Sequence, residues 1–442
     1  MNICACSQST NIDDLPSDVI LNIFERLPDS ADLASCRLTS HRLLSLSYRT
    51  SSISLKPHQK HHPAPFKTRV INIISLLAAS LVSISISGKG SGVVETEEVD
   101  DLTDIGFLSA WLPLVGRQLR TLSIVNAPNK SPVGFSCALA VISDTCKNLD
   151  SLVIRNAWLS FNGTMVMSKL TNLTLKFVRI DDEHRVNFSV YFPSLKILKL
   201  IHITGLKEPK IHLMQLRICR FTGYPQSITV LAPNLEELKL RCMQPCFVIL
   251  ECSSIRNLSI SLAKASGISM ITMPQNLRKL TIKSLDVPRL LPFFRGTKGL
   301  KTLELEVSPI MSWFDSYSVF SITAAFQIFE NIDELIIGSV VWYLWHQSIP
   351  SCLTASKPIS LARLVVNLPP EDFNGTDLMS IILKICAPSE VELCFFSDIE
   401  EMEKNEVVAK FSNTFSGVRW SWSTSEKSSS EFFSRLWRAV GI

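Results

Sequence analysis

Apolar residues recur along this chain in two rhythms. Between residues 14 and 49 they keep a helical period, with Val19, Ile20, Ile23, Phe24 and Leu27 on one broad stripe. Leu15-Pro16 leads into that stripe, where proline's fixed φ suits a first helical turn. Asp14 or Ser17 is placed to cap it, and Asp18 favours the positive end of the helix. Pro28 ends this helix, and Asp29-Ser30 starts a second with Ala31, Leu33, Ala34, Cys36 and Leu38. A third, from about Thr39, carries Leu43, Leu44 and Leu46. Three such helices, about forty residues in all, hold a marginal core. Their apolar side chains exceed what they can hide among themselves. Burying one Leu, Ile or Phe is worth ~1.5–3 kcal/mol, so the surplus favours docking on the rest of the chain or on a second protein.

From residue 81 the rhythm becomes L-x-x-L-x-L. Copies stand at 81 (LVSISI), 119 (LRTLSI), 149 (LDSLVI), 170 (LTNLTL), 195 (LKILKL), 213 (LMQLRI) and 235 (LEELKL). They continue at 255 (IRNLSI), 277 (LRKLTI), 300 (LKTLEL), 332 (IDELII) and 361 (LARLVV). The spacing drifts between roughly twenty and thirty residues, the period of leucine-rich repeats. In each copy the last two apolar residues lie two apart and point into a core from one side of a short strand. Stacked in parallel, the strands make a concave sheet whose connections return along the convex side. Pro193, Pro233 and Pro274, just before the leading leucine, set an extended approach.

The expected fold class is α/β: an N-terminal three-helix module, then an irregular leucine-rich-repeat solenoid with a parallel sheet on its concave face. The ladder position, asparagine or cysteine in strict repeats, here reads Ala157, Val178, Ile203, Phe221 and Met243, which predicts apolar turns. The boundaries read as 10–50 for the helical module and 51–118 for a connector with a first degenerate repeat and a flexible, acidic loop (87–104). The solenoid takes 119–396 and a C-terminal cap 397–442. A helix is expected around Thr323–Phe329 inside the insertion 309–331. The stripe Phe433, Leu436, Trp437 and Val440 predicts a capping helix, and Trp420 and Trp422 a short cap strand.

The residues between and just after the two core positions of each strand line the concave face. Read this way, Arg155, Lys176, Lys199, Arg217, Lys239, Arg241 and Lys283 form a basic stripe, and Glu304 and Glu306 reverse the sign at its edge. Clustered Arg and Lys pair well with phosphate and carboxylate, so an acidic or phosphorylated segment of a protein substrate fits the stripe. A small anionic ligand of the inositol-phosphate kind is a variant of the same idea. The same residues equally suit a solvated strand face.

The ordered pattern Leu15-Pro16, Val19-Ile20, Ile23-Phe24, Leu27, Leu33, Cys36-Arg37 and Ser40-His41-Arg42 resembles an F-box, most closely the plant type joined to leucine-rich repeats. The tryptophan usual near the end of that motif is absent, and His41 or Leu43 stands there. The resemblance implies docking on a Skp-type adaptor, and through it on cullin and RING subunits of a ubiquitin ligase. It assigns that contact to Leu15, Pro16, Val19, Ile20, Ile23, Phe24, Leu27 and Leu33. The chain would then be a non-catalytic substrate receptor, and a non-degradative binding scaffold is the alternative.

Composition agrees. The 442 residues are 46% hydrophobic, and the net charge is only +4 with no basic arm, which speaks against a dedicated nucleic-acid binder. Twelve scattered cysteines and an N-terminus without signal-peptide features predict reduced thiols in the cytoplasm or nucleus. Cys242, Cys246 and Cys252 lack zinc spacing, so no metal is expected, nor any other cofactor. The apolar run 70–87 approaches membrane-spanning length, but its strict alternation after residue 81 predicts a strand and no membrane span. Neither G-x-S-x-G nor H-E-x-x-H occurs, and the glycines of residues 88–92 lead into an acidic run that would repel phosphate. His58, His61 and His62 read as a solvated connector.

Overall fold

The computed structural model describes residues 12–27, 29–57, 64–88, 101–127, 134–181, 186–243, 246–262, 265–270, 272, 274–284, 287–307, 328–329, 331–347, 361–368, 376–396 and 400–425. The chain divides into two compact units, Met1–Leu206 and Lys207–Ile442.

The first unit opens with α1 (Ser17–Glu25), α2 (Ser30–Arg37) and α3 (His41–Ser47). Ile20, Phe24, Leu33, Leu43 and Leu46 form their core, with Leu15, Leu21, Leu27 and Cys36 packed against it. The Asp29 carboxylate accepts from the Ala31 amide at 3.1 Å, and the Ser40 hydroxyl from the Leu43 amide at 3.0 Å, so both later helices are capped as expected. The first is not capped by Asp14 or Ser17. Pro16 holds the cap position without a side-chain bond, and Ser17 is already helical.

A parallel sheet follows, in the order β1 (Ser52–Leu55), β2 (Ser83–Ser87), β3 (Thr121–Val125), β5 (Ser151–Leu159), β6 (Asn172–Ile180) and β7 (Ile197–Ile203). The two-residue strand β4 (Phe135–Ser136) lies beside the end of β5. Helices α4 (Phe66–Leu77), α5 (Ile105–Val115), α6 (Ala138–Thr145) and α7 (Phe188–Tyr191) fall between the strands. Each strand buries its alternate residues, such as Ile84 and Ile86, Leu152 and Ile154, or Leu198 and Leu200. The apolar run at 70–87 thus resolves into the end of α4 and β2. Among the described residues no helix is long and apolar enough to cross a membrane.

The sheet starts one strand earlier than the leucine pattern indicates. Ser52 pairs with Ser83, which puts Thr50 where Leu81 stands in the next repeat, and Thr50 is fully buried there. Strands β5 and β6 also run longer than expected. Asn156, Phe177 and His202 adopt φ of +56°, +53° and +55°, and the inward alternation resumes at Ala157, Val178 and Ile203. These apolar residues, expected in turns, continue the strands in unbroken register past the left-handed residues.

The second unit carries β8 (Lys210–His212), β9 (Ile218–Gly223), β10 (Ser227–Leu231), β11 (Glu237–Cys242), β12 (Cys246–Glu251), β13 (Asn257–Leu262), β14 (Ala265–Met270) and β15 (Lys279–Ser284). It continues with β16 (Thr302–Glu306), β17 (Glu334–Ile337), β18 (Arg363–Asn367), β19 (Glu390–Phe396) and β20 (Arg419–Ser425). One parallel sheet runs β9-β11-β13-β15-β16-β17-β18-β19-β20, and a second runs β8-β10-β12-β14. Repeats of about twenty residues leave no room for a returning helix, so the convex return is itself a strand. Longer repeats later in the unit restore helices, at Ser339–Gln347, Thr376–Ile385 and Glu401–Thr414.

Because β20 pairs in parallel with β19, the repeat sheet extends past residue 396, and Trp420 and Trp422 belong to it. The expected capping helix at 430–440, and most of both the helix around Thr323–Phe329 and the acidic loop, lie outside the described residues. Burial raises the thiols of Cys146, Cys252 and Cys386 to about 12, which keeps them protonated and unreactive.

Candidate functional site

The helical module separates the eight residues assigned to adaptor contact into two sets. Ile20, Phe24 and Leu33 are buried in its own core, and Leu15 and Leu27 are partly buried against that core. These five build the module's core or pack against it. Pro16 is exposed, and Val19 and Ile23 keep 44% and 37% of their surface. Three and four residues apart, they lie on one side of α1, with Ile12 (47% exposed) just before them. Leu38, at the end of α2, is also exposed.

Residues of α3 hold the lead-in to this stripe. The Arg42 guanidinium donates to the carbonyls of Leu15, at 2.7 Å, and Asp13, and to the Ser17 hydroxyl at 3.4 Å. The Ser40 hydroxyl donates to the Asp13 carboxylate at 2.8 Å. One fork-shaped cation thus binds two carbonyls of the segment leading into α1.

In the first unit the outward face of β1, β2 and β3 consists almost wholly of small hydroxyls, including Ser52, Ser54, Ser83, Ser85, Thr121 and Ser123. Towards β7 it becomes basic. Arg155 pairs with Lys176, and Thr174 pairs with Lys199, so these three cations lie on neighbouring strands as expected. Arg179 joins them further along β6, where Phe135, Trp158 and Arg179 follow one another across β4, β5 and β6. Arg179 lies 4.1 Å above the Trp158 ring, Phe135 meets Trp158 edge-on at 5.7 Å, and Phe177 stacks on His202 at 4.8 Å. No residue-type pattern announced these rings.

The second unit corrects the frame of one repeat. Ile218 pairs with Glu237 and Cys219 with Leu238, so Leu216 corresponds to Leu235. Its inward positions are Cys219 and Phe221, both buried. Arg217 therefore precedes the strand and is not on the sheet face. Arg220, which the leucine pattern had missed, occupies the face position beside Lys239.

Most of the basic stripe in this unit is neutralised. Arg220 and Lys239 share the Glu237 carboxylate at 2.9 and 3.5 Å, and Lys279 and Lys283 hold Glu304 at 3.5 and 3.1 Å. Arg363 faces Glu334, Glu390 and Glu392 together. The expected sign change at Glu304 is thus an ion-paired lattice. Among the described residues Arg155, Lys176, Lys199 and Arg179 of the first unit, and Arg241 of the second, have no carboxylate partner.

Comparison with known proteins agrees with both regions. Residues 12–54 match the F-box-like family, and residues 92–349 match the family described as At1g61320/AtMIF1, LRR domain. The chain is 30% identical over 437 residues to F-box/LRR-repeat protein At4g29420 of Arabidopsis thaliana, covering 93% of this chain and 97% of that protein. With a helical module of this construction at its head and leucine-repeat strands over the rest, the chain belongs to the plant-type F-box/leucine-rich-repeat proteins.

Proposed function

We propose that this chain is the substrate-recognition subunit of an SCF-type ubiquitin ligase, acting in the cytoplasm or nucleus. An F-box implies a Skp-type adaptor, which brings cullin and RING subunits, and leucine-rich repeats imply a protein target. The observation that carries the reading is the exposed stripe Pro16, Val19 and Ile23 on a module too small to cover it. The chain's role is to bind and to hold a geometry: an adaptor on the α1 stripe, a target on a sheet face. Ubiquitin transfer belongs to the other subunits.

The test is co-purification of the full chain with a Skp-type adaptor, beside a Val19→Ala/Ile23→Ala double variant. A stoichiometric complex that the variant loses supports the reading. A well-folded chain that binds no adaptor removes it. Target turnover that stops in the same variant separates a degradative receptor from a scaffold.

A further inference from the structure

We propose that the target engages the first unit at a cation–aromatic shelf formed by Phe135, Trp158, Phe177, Arg179 and Lys176, and that the captured element is an extended anionic segment carrying an aromatic side chain. This rests on the repeats binding a protein target.

Three observations meet there. The first is charge. Arg155, Lys176, Arg179 and Lys199 lie on adjacent strands, and none has an ion pair among the described residues, whereas Arg220, Lys239, Lys279, Lys283 and Arg363 on the second unit's sheet face are ion-paired. Arg179 lies over the Trp158 ring, and Lys176 lies 5.1 Å from the Phe177 centroid. A guanidinium attracted to a ring face uses none of its N–H donors in that contact, so they stay available to a carboxylate or phosphate.

The second is exposed aromatic surface. Phe135 and Phe177 each keep 50% of their area on the outside of a sheet whose inward positions are fully packed. Rings left outside contribute little to folding and are well suited to anchoring a partner's side chain.

The third is backbone geometry. Phe177 has φ of +53°, a region that bulky residues rarely occupy, and its neighbours Asn156 and His202 repeat it on either side. The inward positions step from Leu175 to Val178, so two successive residues, Lys176 and Phe177, stand on the outer face while the pairing with β5 stays in register. Strain that places a ring in solvent, on three strands in register, points to binding. The shelf is an open sheet surface, which suits a chain lying across strands, and its cations select an acidic or phosphorylated one.

The test uses the full chain and short fluorescent peptides. One carries phosphoserine between two phenylalanines, a second replaces the phosphoserine with aspartate, a third has neutral serine, and a fourth keeps phosphoserine without phenylalanine. A single-stranded oligonucleotide serves as the nucleic-acid arm. At low ionic strength the first peptide is expected to bind, and losing either its anion or its rings to weaken it by about tenfold or more. Binding of the aspartate peptide as well assigns the anion to acidic sequence, and its failure to phosphorylation; either supports the shelf. Phe177→Asn, which keeps a residue tolerant of this φ, and Arg179→Ala should each weaken the first peptide about tenfold with unchanged thermal unfolding. Equal binding of all peptides, affinity untouched by both variants, or preferential binding of the oligonucleotide would overturn the proposal. Adaptor retention, measured on the same preparations, keeps the two readings apart. Lost peptide binding with the adaptor retained removes only the shelf, and a missing adaptor with peptide binding intact removes only the ligase assignment.

Discussion

The Arg42 side chain reaches from α3 to donate a hydrogen bond to the Leu15 carbonyl at 2.7 Å. It therefore fixes the approach to the exposed stripe without being part of it. Arg42→Ala is expected to lower stability by about 1 kcal/mol, since part-buried carbonyls lose a charged donor. It should also weaken adaptor capture while Val19 and Ile23 remain. Arg42→Lys should rescue little, because an ammonium lacks the planar fork that reaches several acceptors together. Urea titration and adaptor co-purification read the two effects.

Neighbouring residues of α1 should separate cleanly by outcome. Ile20→Ala and Phe24→Ala empty a packed core and should each cost about 2–5 kcal/mol. Val19→Ala and Ile23→Ala remove exposed groups and should change stability by less than about 1 kcal/mol while abolishing adaptor binding. A Val19 variant that unfolds the module, or an Ile20 variant that leaves stability alone, would contradict the burial pattern.

Glu306 should make stability fall as pH rises. Its carboxylate accepts from the Val307 amide at 2.9 Å and sits where Gly338 leaves room for it. Burial raises its pKa from 4.5 to about 7, opposed by the Val307 amide and Lys283. Between those values the folded state holds a proton that the unfolded state releases, so stability is lost as pH climbs through the window. The loss is on the order of 3 kcal/mol at most. Glu306→Gln should flatten the dependence, as seen in denaturation midpoints at about pH 5 and about pH 8.

Phe177→Gly should raise stability. Glycine adopts positive φ without the clash of a Cβ, and relief of about 1 kcal/mol is expected to outweigh the loss of a half-exposed ring. Differential scanning calorimetry against Phe177→Ala, which keeps the strain and loses the ring, isolates the backbone part.

Much of the architecture was legible because periodicity is a direct consequence of burial. The helical stripe of residues 19–27 and the repeated L-x-x-L-x-L placed elements of both units. What failed was decided by neighbours. Leu213, Leu216 and Ile218 satisfy the leucine pattern as well as Leu216, Cys219 and Phe221 do, and only the alignment of Leu216 with Leu235 chooses between them. Strand β1 escaped because Thr50 holds the place of a leucine. On α1 the adjacent pairs Val19-Ile20 and Ile23-Phe24 look alike in sequence, and the packing of α3 decides which member faces inward. The positive φ at Phe177 has no signature, since nothing in a phenylalanine forecasts a left-handed backbone.

The helical module does more than carry a docking stripe. Helix α2 packs beside β1, which pairs only with β2, and the Ser80 hydroxyl donates to the carbonyls of Tyr48 and Thr50 at 3.0 and 2.9 Å. The F-box thus lies against the sheet's first strand and is fastened to the repeats behind it. A free strand edge invites pairing with another chain, so cutting the protein at residue 50 would release an aggregating fragment instead of a clean repeat domain. The same fastening ties the F-box directly to the first unit's sheet. On the proposed function, whatever that sheet holds is presented to the ligase from right behind the docking module, and the choice of which lysine is modified then falls to the target's own length and slack.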